Sequence, residues 1–302
     1  MRMEVENGAE HTAAIIPINS QLMDFRMPWA DCLQPIAPDF LSIERTVLEC
    51  ATAGCKTIWV ICPYEIQSLL RHRLGDCVQD PVWYNRKYVR RPNANNKEIP
   101  IYFIPVHSKD RDKRDSVVWN MLYGCLAVEK LCKQMSRWLI PQKYYISFPN
   151  VVYPSQFVRK YRDDITKRDR FLISHNGETI MDGKHLPATI TMTDVKFLLK
   201  KFREQATGLW DGNSPKRGHW PSEKHSLENR YSGRYITVKD IFQHLEVKQD
   251  TKIMTTSWFY SLDSWASFCE YIGSKERLLI SRPKQQLLKY KEWGGIANVE
   301  LL

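Results

Sequence analysis

Residues 15–36 read IIPINSQLMDFRMPWADCLQPI. An apolar run ends in a loop carrying an Arg-x-Pro, Arg26 to Pro28, and a second apolar stub closes it at Ile36. Strand, loop and helix in that order is where α/β proteins seat a nucleotide. Yet the loop holds no glycine, the residue that lets backbone N–H groups come close to phosphate oxygens. Arg26 has the planar fork that grips a phosphate bidentately; it is equally placed to pair with Asp24 or Asp31 and prop the loop open. Asp263 also has two readings: a carboxylate ligand for a hard divalent cation, or the N-cap of a helix over SWASFCEYI. Asn150 either contacts a ligand or makes a local turn bond. RKYVRR, residues 86–91, is a purely basic patch around a tyrosine, so Arg86, Lys87, Arg90 and Arg91 form a candidate anion or nucleic-acid surface.

Other polar clusters are weaker. GHWPSEKH places His219, Glu223 and His225 within a short span, and His175, His185, Asp182 and Asp211 share that half of the chain. The spacing fits no common zinc pattern, and a polar surface loop accounts for it. Trp210, Trp220, Trp258 and Trp265, with Tyr231, Tyr235 and Tyr260, either stack bases of a single-stranded nucleic acid or fill an irregular core or protein contact.

The elements that must position these residues follow from length, composition and period. The chain has 302 residues, 43% apolar and 26% charged, enough for a well-filled α/β core. No segment approaches the roughly 20 apolar residues that span a bilayer. The start, MRMEVENGAEHTAA, lacks the basic and apolar regions of a secretion signal, so a cytoplasmic protein with no membrane contact is expected. Eight cysteines show no Cys-x-x-Cys pair; several sit in apolar segments and read as reduced, buried thiols. The net charge of +10 points to an anionic partner: a nucleotide, nucleic acid or an acidic surface of a protein assembly. The basic runs at residues 109–115 and 159–170 mix both signs and read as solvated faces.

Thr12 to Ile18 reads as a strand covered on both faces. Ile43, Val47, Leu48 and Ala51 recur at helical spacing before a C-capping Gly54. Lys56 to Pro63 is a second strand, Glu65 to Gly75 a helix, Ile99 to Val106 a third strand, Arg114 to Met135 a helix, and Lys143 to Pro149 a fourth strand. This alternation predicts an α/β fold with a doubly wound, mostly parallel mixed sheet and ligands at the carboxyl ends of its strands. Residues 1–160 form the nucleotide-binding-like half. Residues 161–302 form a mixed α+β half packed on the same sheet, with strands around an Asn176–Gly177 turn, a helix over DVKFLLKKFREQA, a polar loop from Gly208, and a short strand at RLLISRP.

The order of pieces through Gly75 resembles the nucleotide-sugar pyrophosphorylases, the sugar-1-phosphate nucleotidyltransferases of the nucleotide-diphospho-sugar transferase fold. FRMPWADCLQPI matches the family's Arg and following stub, FLSIERTVLECATAGCKTIWVI its helix and second strand, and YYISFPNVVYPSQF its fourth strand and metal loop. RDSVVWNMLYGC stands where the substrate helix begins, and WFYSLDSWASFCEYI resembles the late Asp helix start. The resemblance implies a nucleotide or phosphorylated sugar as ligand and Mg2+ as cofactor if the chain is active. Arg26 would then hold the phosphates and Asp263 the metal as catalytic residues, Asn19 and Ser20 would line the nucleotide pocket, and Ser116 would lie near the base or sugar. The departures are chemical. Residues 19–23 replace the glycines, Asp31 replaces a lysine, and the metal-binding aspartate falls at Pro149 or Asn150. Transfer of this kind depends on positioning and charge neutralisation, and each lost electrostatic element costs about 3 kcal/mol. The expectation is therefore a nucleotidyltransferase-like pseudoenzyme, or a structural or nucleic-acid-binding protein that reuses the fold.

Overall fold

The computed structural model describes residues 11–18, 30–84, 98–135, 140–206, 232–283 and 288. Every residue of β1 (Thr12–Pro17) is buried, as its unbroken apolar run predicts for a strand covered on both faces. It pairs in parallel with β4 (Thr57–Cys62) on one side and β7 (Lys143–Ile146) on the other. β6 (Glu98–Pro105) extends the parallel run from β4, and β5 (Cys77–Gln79) closes that edge antiparallel. Beyond β7, β10 (Ala188–Thr191) pairs antiparallel with both β7 and β9 (Phe171–Ser174), and β11 (Lys252–Thr255) runs parallel to β9. The eight strands lie in the order β11-β9-β10-β7-β1-β4-β6-β5, all but β10 and β5 in one direction.

Two adjacent tyrosines show that the sheet is covered on both faces. Successive strand residues point to opposite sides. The Tyr145 hydroxyl donates to Glu49 Oε1 at 2.8 Å in α1 (Ser42–Ala53), while the Tyr144 hydroxyl faces Cys125 and Glu129 in α5 (Val117–Met135), where burial drives its pKa up. The predicted doubly wound α/β class is the one observed. α2 (Tyr64–Leu74) and α8 (Met192–Ala206) fall where the periodicity places them, and α1 ends at Gly54 with φ +94°.

Against β1 and β4, α5 comes unusually close at Gly124. A Cβ there would stand 2.6 Å from Ile61 Cγ1 and 3.3 Å from Ile15 Cγ2, both in fully buried residues. Gly124→Ala is expected to cost about 1–3 kcal/mol by overpacking, read as a lower urea midpoint at unchanged slope.

Several expectations are refined. The predicted helix from Arg114 is broken: α4 (Ser108–Arg114) ends before Asp115 and Ser116, and α5 begins at Val117. The Asn176–Gly177 turn forms with both residues at positive φ, 52° and 82°, and His175 and Glu178 exchange backbone bonds across it. The predicted strand at RLLISRP is instead a 3-10 turn over Glu276–Leu279, because the Ser274 hydroxyl accepts the Arg277 N–H at 3.3 Å and the chain closes on itself. The mixed-sign run at 159–170 is only partly a solvated face. Lys167 pairs with Asp163 at the surface, but Arg162 reaches buried Asp80 at 2.6 Å, and buried Arg170 pairs with buried Asp194. Six cysteines are buried and Cys77 is half-buried; Cys269 is exposed, on the outer side of the helix Trp265–Gly273. Burial pushes the Cys62 thiol up to about 12, which keeps it protonated.

Candidate ligand cavity at the strand switch point

The chain passes from β1 outward through β4 to β6, then returns to β7 on the opposite side of β1. Connections leave this point in opposite directions, so a crevice opens at the carboxyl ends of β1 and β7. A cavity of about 690 Å³ lies there. Pro17 and Ile18 end β1 on its wall, Pro149 and Asn150 follow β7, and Ser116 to Val118 bring the start of α5 to it. The second half of the chain closes it with Asp182, His185, a stretch from Arg234 to Lys239, and Asp263.

Two of the sequence-expected site residues meet here. Ser116 lines the cavity and also caps α5, its hydroxyl accepting the Trp119 N–H at 3.2 Å. Asp263 lines the cavity without capping the following helix; that cap is Ser264, whose hydroxyl accepts the Ser267 N–H at 3.2 Å. Two of the chemical departures meet here as well, since Asp31 and Asn150 share the same wall space. Asn19, Ser20 and Arg26, and the basic patch Arg86, Lys87, Arg90 and Arg91, lie outside the described residues.

Asn150 and Asp263 are far apart in sequence and are joined by strand pairing. β8 (Val151–Val152) runs antiparallel to β12 (Tyr260–Ser261), and the Leu262 N–H donates to the Asn150 carbonyl at 2.8 Å. From below, the buried Arg45 guanidinium donates to the carbonyls of Val151 at 3.1 Å and Tyr153 at 3.2 Å. Its charge is balanced by Glu49 at 3.3 Å, which also accepts from Tyr145 and from Ser147 at 2.9 Å. The loop carrying Asn150 is thus held by fixed donors on a rigid helix.

The Asn150 side chain spends both amide hydrogens. One goes to His185 Nδ1 at 2.7 Å and the other to Asp263 Oδ1. An amide hydrogen donated to Nδ1 makes that nitrogen the acceptor, so in neutral His185 the proton sits on Nε2. The imidazole stacks on Phe148 with ring centroids 4.9 Å apart. Burial holds its pKa below the ordinary histidine value, opposed by the charge of Asp263. The second oxygen of Asp263 accepts from the Ser261 hydroxyl.

This donor set does not fit the Mg2+ that the resemblance implies. Magnesium needs hard oxygens in near-octahedral array. Where an aspartate would face Asp263, an amide nitrogen does, with its N–H aimed at the carboxylate. Among the described residues no cluster of three His, Cys, Asp or Glu is arranged to hold a metal ion.

Charge is divided across the cavity. Arg234 and Lys239 are the cations on its wall; Asp31, Asp182 and Asp263 are the carboxylates. Arg234 lies over the Tyr235 ring, 5.7 Å from its centroid. Lys239 is the second residue of the helical turn Val238–Phe242, which packs on Gly183; a Cβ there would stand 3.0 Å from the Lys239 Cβ. Neither cation is marked by a motif, and His185 reads in the sequence as part of a polar loop. Only the fold brings them to β1 and β7. Among the described residues no helix is long and apolar enough to cross a membrane.

No protein-family model matches the chain, and no curated protein matches it. Among solved structures the chain is similar to a protein described as a glucose-1-phosphate thymidylyltransferase from Bacillus anthracis, in complex with sucrose. Identity is 9%, coverage 91% of this chain and 98% of that one, and the TM-score 0.49. It is also similar to the inositol-1-phosphate CTP transferase of T. maritima, with 8% identity, 90% and 95% coverage and a TM-score of 0.47. A third is a 4-diphosphocytidyl-2C-methyl-D-erythritol synthase from Anaerococcus prevotii, with 10% identity, 88% and 95% coverage and a TM-score of 0.49.

Proposed function

We propose that the chain is a nucleotidyltransferase-like binding protein. Its cavity takes a nucleotide or a phosphorylated sugar, and nucleotidyl transfer no longer runs there. The observation that carries this reading is the position of the cavity: at the switch point beside β1, with Arg234 and Lys239 on its wall to meet a phosphate. At about 690 Å³ it has the size of a small-ligand site. The loss of turnover is supported by Asp31 standing where the resemblance calls for a cation, and by Asn150 standing where it calls for a metal-binding carboxylate. A transition state that gathers charge on phosphate oxygens gains nothing from either.

The test joins two measurements. Thermal shifts with a panel of nucleotides and sugar phosphates are expected to rise for at least one ligand, by mass action. Pyrophosphate release from nucleoside triphosphate and sugar phosphate pairs, with Mg2+ present, is expected to stay below about one turnover per second. No shift with any phosphorylated ligand defeats the binding half of the proposal, and faster turnover defeats the other half.

A further inference from the structure

The contact between Asn150 and Asp263 carries one step more, resting on the reading of the cavity as a phosphorylated-ligand site. We infer that this amide–carboxylate clasp stands in place of a divalent cation, so that the cavity binds a phosphate monoester without metal, using Arg234 and Lys239.

Three observations support it. First, the clasp is built. Asn150 donates to both His185 and Asp263, Ser261 donates to the remaining Asp263 oxygen, and the β8–β12 pairing with Arg45 beneath fixes the loop. An amide N–H aimed at a carboxylate satisfies that carboxylate as a cation would, at hydrogen-bond range and with no net charge. Second, the substitution is minimal. Asparagine and aspartate have the same shape, so one atom separates the present pair from two facing carboxylates beside an imidazole. Third, the charge on the walls selects the ligand. A nucleoside triphosphate without its metal would bring its full charge against Asp31, Asp182 and Asp263. A single phosphate matches the two cations.

The experiment uses the full chain, wild type and Asn150→Asp, with Mn2+ alone and with glucose 1-phosphate and a nucleoside triphosphate as probes, by calorimetry in EDTA and in millimolar Mg2+. Wild type is expected to show no Mn2+ binding. Its affinity for the sugar phosphate should change less than about threefold between EDTA and Mg2+, and should exceed that for the triphosphate in EDTA. Asn150→Asp is expected to bind Mn2+ with a dissociation constant at least about tenfold below the highest Mn2+ concentration at which wild type shows no binding. Mn2+ binding by wild type, a tenfold loss of sugar phosphate affinity in EDTA, or tighter triphosphate binding in EDTA would each overturn the inference, as would a folded Asn150→Asp that ignores Mn2+. If no phosphorylated probe binds under either condition, the reading of the cavity fails and the monoester inference falls with it; the Mn2+ arms still decide the clasp. The wild-type Mn2+ arm stands even if the variant does not fold.

Discussion

Arg45→Ala is expected to destabilise the protein by about 3–5 kcal/mol, the range for removing one partner of a buried ion pair. Arg45 is 2% exposed and Glu49 1%. The guanidinium is bound by the Val151 and Tyr153 carbonyls and lies 4.4 Å from the centre of the Tyr153 ring. Deleting it strands a buried carboxylate whose remaining donors, Tyr145 and Ser147, carry no positive charge. The pair itself is not expected to be worth that much. Arg45→Met with Glu49→Leu removes both charges at similar volume and should recover most of the loss, because desolvating two charges offsets much of their attraction. Urea unfolding of the single and double variants decides this. A double variant as unstable as Arg45→Ala would show that the carbonyl bonds, not the stranded charge, dominate. The second effect is local: without Arg45 the carbonyls of Val151, in β8, and Tyr153, just after it, lose their donor, so the amides of the Asn150 loop should exchange faster than in wild type.

Asp194→Asn is the second large effect, and it carries a pH signature. Asp194 Oδ2 accepts from Arg170 Nε at 3.0 Å and from the Thr191 N–H at 3.1 Å and hydroxyl at 3.0 Å, while Oδ1 accepts from Arg170 Nη2. It therefore ties β10 to α8 and neutralises a guanidinium that is 5% exposed. Burial alone would raise its pKa, but the hydrogen bonds from Arg170 and Thr191 outweigh burial and hold the carboxyl below its ordinary value of 3.8. A group depressed in the folded state stabilises above its unfolded pKa and loses that contribution as pH falls through the folded one. Asparagine keeps the shape and loses the charge, leaving Arg170 buried without a counter-ion at a cost of about 3–5 kcal/mol near neutral pH. The gap between wild type and variant should be constant from about pH 7 to about pH 5 and narrow below the ordinary aspartate value. A gap that does not narrow in acid would show that geometry, not charge, accounts for the loss.

Much of the frame was legible in the residues. An unbroken apolar run at 12–18 has one stable use in a chain of this composition, a strand covered on both faces, and its repetition after helical stretches specifies parallel crossovers. Gly54 and the Asn176–Gly177 pair are local signals, because each reports a backbone torsion that other residues adopt at a cost. What failed at this level failed for a physical reason. Arg45 and Glu49 carry no mark of burial in the sequence, yet α1 is buried on nearly its whole circumference. The mixed charges of 159–170 gave no hint that Arg162 and Arg170 would find buried partners in Asp80 and Asp194. The strand pairs of β11 and β12 lacked any local mark, since a short half-exposed strand is defined by the neighbour it bonds to.

The residue types and periods of this chain were enough to determine that a mostly parallel sheet would form. Which side chains meet at its strand ends was decided by the tertiary structure alone. Asn150 and Asp263 are brought together by β8 and β12, Lys239 arrives on a helical turn packed on Gly183, and Arg234 on the separate 3-10 turn Ser232–Tyr235. Hydrogen bonds between strands distant in the chain depend on the whole sheet being assembled. Their energy is carried by geometry that no stretch of residues contains by itself.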